Sequence, residues 1–108
     1  MIDSKTISAI NQAILKSNGT KIANTDCSSC LASYSYYDTI EEQIASIVYN
    51  IAKNHYFVDG NKRTAYVVLI LLCENNNVKL NNKDKVAVMN EIAASKLDIK
   101  QVVELLFK

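Results

Sequence analysis

The sequence predicts an all-α fold: a compact helical bundle around a buried central helix, interrupted by one long irregular segment. Two observations carry this. Apolar residues recur at three- and four-residue spacing in segment after segment. The intervening stretches hold the capping and stopping residues (Thr, Asp, Asn, Gly) expected at helix ends.

The first helix is predicted from Ser4 or Lys5 to about Lys16, where Ile7, Ile10, Ile14 and Leu15 share a face before Asn18-Gly19 stops it. Gly19 to Asp38 breaks the pattern with polar residues, Cys27, Cys30 and the cluster Tyr34, Tyr36, Tyr37. It reads as a loop or short β-hairpin, a flap over about 19–38, and a segment of that length inside a small domain tends to be functional. Thr39 with Glu42 three residues on is a capping box. The helix it opens should run to about Asn54 and bury Ile40, Ile44, Ile47, Val48 and Ile51.

The next helix is predicted from Lys62 to about Glu74. Its Ala65–Cys73 run is apolar on all sides, which places it at the buried centre of the bundle. A buried strand fits the same residues, but the length favours helix. Asn75 to Asn77 end it. Two short helices follow, about Lys83 to Ala94 and Ile99 to Phe107, with Asn82 and Asp98 as N-caps.

At 108 residues and 49% hydrophobic, the chain reads as one domain, 1–108, with enough apolar content to fold. A net charge of +1 and no basic stripe argue against a nucleic-acid partner. The Ala65–Cys73 run is far short of the roughly 18–20 residues a bilayer span needs, so no membrane association is expected. The opening residues lack a secretory pattern, so a cytoplasmic location is expected. Three cysteines are too few for a disulfide scaffold. Cys27 and Cys30 invite a zinc or redox reading, but a structural or incidental role is favoured, and Cys73 reads as a small buried thiol.

The chemistry concentrates in His55-Tyr-Phe-Val-Asp59-Gly60-Asn61-Lys62-Arg63-Thr64-Ala65. A glycine at the opening of a buried helix lets an anion approach unpaired N–H groups at the positive end of the helix dipole. Lys62 and Arg63 add full charges, the guanidinium able to hold two phosphate oxygens. Asp59 offers one hard oxygen beside that anion, the usual way Mg²⁺ is held with substrate phosphates. His55 is a base suited to taking a proton from a hydroxyl nucleophile. The chain's only Arg and only His both fall in this segment, against eleven lysines elsewhere and within it. Residue by residue a cap, a turn and a solvated face would explain them; the joint spacing favours a site.

This segment resembles the signature of Fic-domain proteins, H-P-F-x-D/E-G-N-G-R-x-x-R, and is closer to that of death-on-curing (Doc) toxins of bacterial toxin–antitoxin pairs. Lys62 matches the lysine Doc proteins carry in place of the second motif glycine, and Thr64-Ala65 matches their continuation. Tyr66 stands where Fic enzymes have the second arginine, and Tyr56 where most have proline. The resemblance implies a Fic/Doc-type bundle and a transferase using ATP and Mg²⁺. Full-motif Fic enzymes transfer AMP to a protein hydroxyl; Doc-type proteins transfer the γ-phosphate to a threonine of elongation factor Tu, halting translation. It implies His55 as base and Asp59 as Mg²⁺ ligand. Gly60, Asn61, Lys62 and Arg63 would be the phosphate cradle, with Lys53 as a further nucleotide contact. Phe57 is expected to anchor the loop in the core. The S/T-x-x-x-E-G/N inhibitory pattern is not found in the sequence, so the implied inhibitor is a separate small antitoxin of the prevent-host-death type. Phosphoryl transfer is favoured because it rests on positioning and charge neutralisation, for which one arginine and one lysine suffice. An AMP transferase is the runner-up, and a non-catalytic nucleotide- or phosphate-binding module is the alternative of another class.

Overall fold

The computed structural model describes residues 1–17, 19, 27–54, 56–57 and 59–108. They form five α-helices: α1 (Ser4–Ser17), α2 (Ile40–Lys53), α3 (Asn61–Asn76), α4 (Lys85–Ala94) and α5 (Ile99–Phe107). Two 3₁₀ turns, Ser28–Leu31 and Tyr34–Tyr36, lie between α1 and α2. No strand occurs among the described residues. The all-α expectation therefore holds, and the described part of the flap is 3₁₀ turn, not hairpin.

The helix ends follow local chemistry. Asp3 Oδ1 accepts from Thr6 N at 2.8 Å at the head of α1. Hydrogen bonds from the Thr6 side chain and backbone hold the Asp3 carboxyl below its ordinary value. That cap is intact above the ordinary value and is lost as pH falls through the lowered one. Thr39 and Glu42 form the expected capping box on α2. Asp98 caps α5 where expected, reciprocated by Gln101. Asn77 ends α3 in the left-handed conformation, at φ 55°. The start of α4 is a correction: Asp84, not Asn82, is the N-cap, accepting from Val86 N at 3.0 Å. Just before Asn82, the chain is fastened to the end of α5 through Asn81. There Asn81 N donates to Leu106 O and Asn81 Nδ2 to Leu105 O, satisfying carbonyls that a helix C-terminus leaves open.

α2 touches α3, α4, α5 and both 3₁₀ turns, so it is the hub of the bundle. Its Ile44, Ile47, Val48 and Ile51 are buried as expected, whereas Ile40, in the first turn, is exposed. α3 corrects the expectation of burial on every side. Ala65, Val68, Leu69, Leu72 and Cys73 are buried, but Tyr66 and Val67 are 39% and 37% exposed. α3 packs against α1, α2 and α4, and of its two exposed apolar residues Tyr66 lines the cleft described below.

Cys27 and Cys30 are joined in a disulfide and fully buried. Asn50 of α2 donates to Cys30 O at 3.2 Å, so the bonded turn is fastened to the hub helix. A local disulfide is an addition to the expectation of structural or incidental cysteines. Closing so short a loop restrains the unfolded chain by about 2 kcal/mol. Reduction is expected to lower the urea midpoint accordingly; equal midpoints with and without reductant would contradict this. Cys73 is a free buried thiol whose burial pushes its pKa up to about 11, which keeps it protonated and unreactive.

Candidate functional site

The site is built on the start of α3. Gly60 is the N-cap at φ 74°, a conformation side-chain-bearing residues rarely adopt, and no side chain caps the helix there. A Cβ at Gly60 would lie in contact with Asn11 Nδ2 and Ile14 Cγ2 of α1, each 3.4 Å away. The left-handed turn is what favours glycine here.

Two asparagines fix the loop that precedes the helix. Asn61 is 8% exposed, accepts from Phe57 N at 3.0 Å and donates to Phe57 O at 2.9 Å. Its side-chain amide thereby clamps the loop, and Phe57 is held in the core as expected, 4% exposed. Asn11 of α1 donates from Nδ2 to Asp59 O at 2.9 Å and to Thr64 Oγ1 at 3.0 Å. It is 1% exposed, and it ties α1 to both ends of the Asp59–Thr64 segment. Asn11 was missed in the sequence. The signal was there, since Ile7, Asn11 and Leu15 fall at i, i+4 and i+8 on the face α1 buries. A polar residue on such a face must find a partner.

Asp59, Gly60, Asn61, Lys62, Arg63 and Tyr66 form one wall of a cleft of about 860 Å³. The opposite wall is α4, through Lys85, Val86, Met89, Asn90, Ala93 and Ala94. Asp59 is exposed, and its Oδ1 accepts from Gly60 N at 2.7 Å. Lys62 Nζ crosses to Asn90 Oδ1 at 2.9 Å. Lys53, in the last turn of α2, donates to Ala93 O at 3.3 Å, which joins the hub helix to the far end of α4. The six candidates Lys53, Asp59, Gly60, Asn61, Lys62 and Arg63 thus lie on or beside one cleft. His55 lies outside the described residues. The α4 wall carried no motif and was not anticipated, because Val86, Met89, Asn90 and Ala93 are ordinary helix residues with no spacing that points to chemistry.

Among the described residues there is no cluster of three or more His, Cys, Asp or Glu. A divalent cation here would rest on Asp59 alone among them, completed by phosphate oxygens and water, a donor set that suits Mg²⁺. No described helix is long and apolar enough to cross a membrane.

No curated protein matches the chain. The sequence model of the Fic/DOC family matches residues 2–73, from α1 through the cleft wall on α3, and leaves α4 and α5 beyond the match. Proteins of that family are typically transferases that modify other proteins, with ATP as the general substrate. A match over most of its length, falling on the segment that builds the cleft, means that this chain belongs to the Fic/DOC family.

Proposed function

We propose that the chain is a Doc-like toxin that transfers the γ-phosphate of ATP to a hydroxyl of a protein, with a threonine of elongation factor Tu as the expected target. The observation that carries this is the charge on the α3 wall. Lys62 and Arg63 stand in its first turn, and one turn later comes Tyr66 instead of a second arginine. A terminal phosphoryl group needs neutralising at one place, beside the helix N-terminus, and that is where both cations stand.

In this reading the target hydroxyl oxygen attacks the γ-phosphorus while His55 takes its proton. The bond to the β-phosphate oxygen breaks and ADP leaves. Asp59 would hold Mg²⁺, which supplies charge neutralisation on the phosphate chain. Gly60 gives the phosphate access to the backbone at the start of α3. Asn61 contributes by its place in the first turn and by clamping the loop. Lys62 exchanges its bond to Asn90 for phosphate oxygens, and Arg63 completes the cradle. Lys53 supports the nucleotide end through the α4 wall. The inhibitor in this account is a separate small antitoxin of the prevent-host-death type, whose disordered end folds against the toxin.

The test is the by-product. With ATP, Mg²⁺ and elongation factor Tu, phosphoryl transfer releases ADP, whereas AMP transfer releases pyrophosphate. ADP formed in step with modified target is expected; pyrophosphate would make the chain an AMP transferase. Lys62→Gly combined with Tyr66→Arg supplies the second glycine and the second arginine of the Fic pattern, with Tyr56 left in place of its proline. That double variant is expected to shift the product toward pyrophosphate, and unchanged ADP release would show that these two positions do not set the chemistry.

A further inference from the structure

We propose that the Cys27–Cys30 disulfide is a redox-sensitive latch. Closed, it docks the turn segment 27–37 on α1 and α2; opened by a dithiol, it loosens that segment and, through α1, the loop that carries Asp59. The latch is independent of which group the site transfers.

Among residues 27–37 the two cysteines are the only buried ones, with Leu31 and Tyr34 partly covered. The two 3₁₀ turns are four and three residues long, too short to keep their shape alone. Their other fastenings to α2 are polar. Asn50 Nδ2 donates to Cys30 O at 3.2 Å and to Ser33 Oγ at 3.4 Å. The Ser33 and Ser46 hydroxyls share a bond of 3.3 Å, and Gln43 Nε2 donates to Tyr37 O at 2.9 Å. The redox-active pair is therefore also the main apolar anchor of the segment. Two thiols cannot approach as closely as two bonded sulfurs, and both cysteines are fully buried, so on reduction the packed core around them has to give way.

That core reaches the site. Cys27 and Cys30 share it with Ile7 of α1, and the first 3₁₀ turn packs on that helix. Asn11 follows Ile7 by one turn and holds Asp59 O and Thr64 Oγ1. A shift of α1 at Ile7 is thus passed to the site loop by one side chain.

Opening is a thiol–disulfide exchange. A thiolate of the dithiol attacks one sulfur, the S–S bond breaks and a mixed disulfide forms; the second thiolate of the dithiol then displaces the protein sulfur. Cys27 and Cys30 take two electrons and two protons from the dithiol, which leaves as its own disulfide. Because both cysteines are buried, attack waits on local opening of the segment.

The test follows single amides by hydrogen exchange in the oxidised and the dithiothreitol-reduced chain. Reduction is expected to speed exchange of the Ala32 and Tyr37 amides, which are bonded within the turns, by about ten-fold or more. The Phe57 and Thr64 amides, whose bonds hold the site loop, are expected to follow, and both groups to change more than the amides of α5. Reoxidation is expected to restore them. Iodoacetamide is expected to label Cys27 and Cys30 in the reduced chain and to spare buried Cys73. The double variant Cys27→Ala, Cys30→Ala is expected to match the reduced chain and to ignore dithiothreitol. Unchanged exchange in the turns would overturn the latch. So would a change confined to the turns, or an equal acceleration through α5, since either leaves a structural staple with no link to the site. A dithiothreitol response that survives in the double variant would overturn it as well.

Discussion

Asn61→Ala is expected to destabilise the fold by about 2–4 kcal/mol. The reason is the pair of bonds to Phe57. The Asn61 amide accepts from the Phe57 N–H and donates to the Phe57 carbonyl, in a buried setting. Truncation leaves two buried backbone groups without their partner, and each such group costs on the order of 1–3 kcal/mol. It also frees the loop that carries Asp59 and Gly60. Urea unfolding reads the change as a lower midpoint at constant slope. A midpoint equal to that of the native chain would mean that the loop is held by other contacts.

The second large effect is on transfer. If His55 is the base proposed above, His55→Ala is expected to lower the rate by about 10²–10⁴-fold. Asp59→Ala is expected to do similar damage by removing the proposed Mg²⁺ ligand, and its side chain is exposed, so little stability is lost with it. Rates at saturating ATP, measured beside the unfolding midpoint of each variant, separate chemistry from folding. Transfer within a few-fold of native in Asp59→Ala would remove that residue from the reaction.

Much of the fold was legible in the sequence because it is written locally. Thr39-Glu42 and Asp98 set helix starts through side chains that reach only three residues. The α4 start was misplaced by two residues: Asp84 takes the cap, while Asn81 is spent on closing the C-terminus of α5, a contact from a distant part of the chain. The exposure of Tyr66 on α3 was illegible for the same kind of reason. Nothing in Ala65–Cys73 says which neighbours pack on which side.

The site divided along the same line. The segment from His55 to Ala65 is contiguous, so its charges and its glycine could be read together. What holds it in place comes from afar, Asn11 from α1 and Asn90 from α4, each carried in by tertiary packing. Asn61 shows the limit of reading a role from a motif. Its position beside the anion site was legible, whereas the clamp on Phe57 depends on the loop's folded path.

The most direct measurement of the central claim is transfer of label to elongation factor Tu from ATP labelled at either the γ- or the α-phosphate, with Mg²⁺ present. The account predicts label on the target from the γ-phosphate only, and its loss in His55→Ala. Label arriving from the α-phosphate, or γ-label transferred undiminished by His55→Ala, would contradict it.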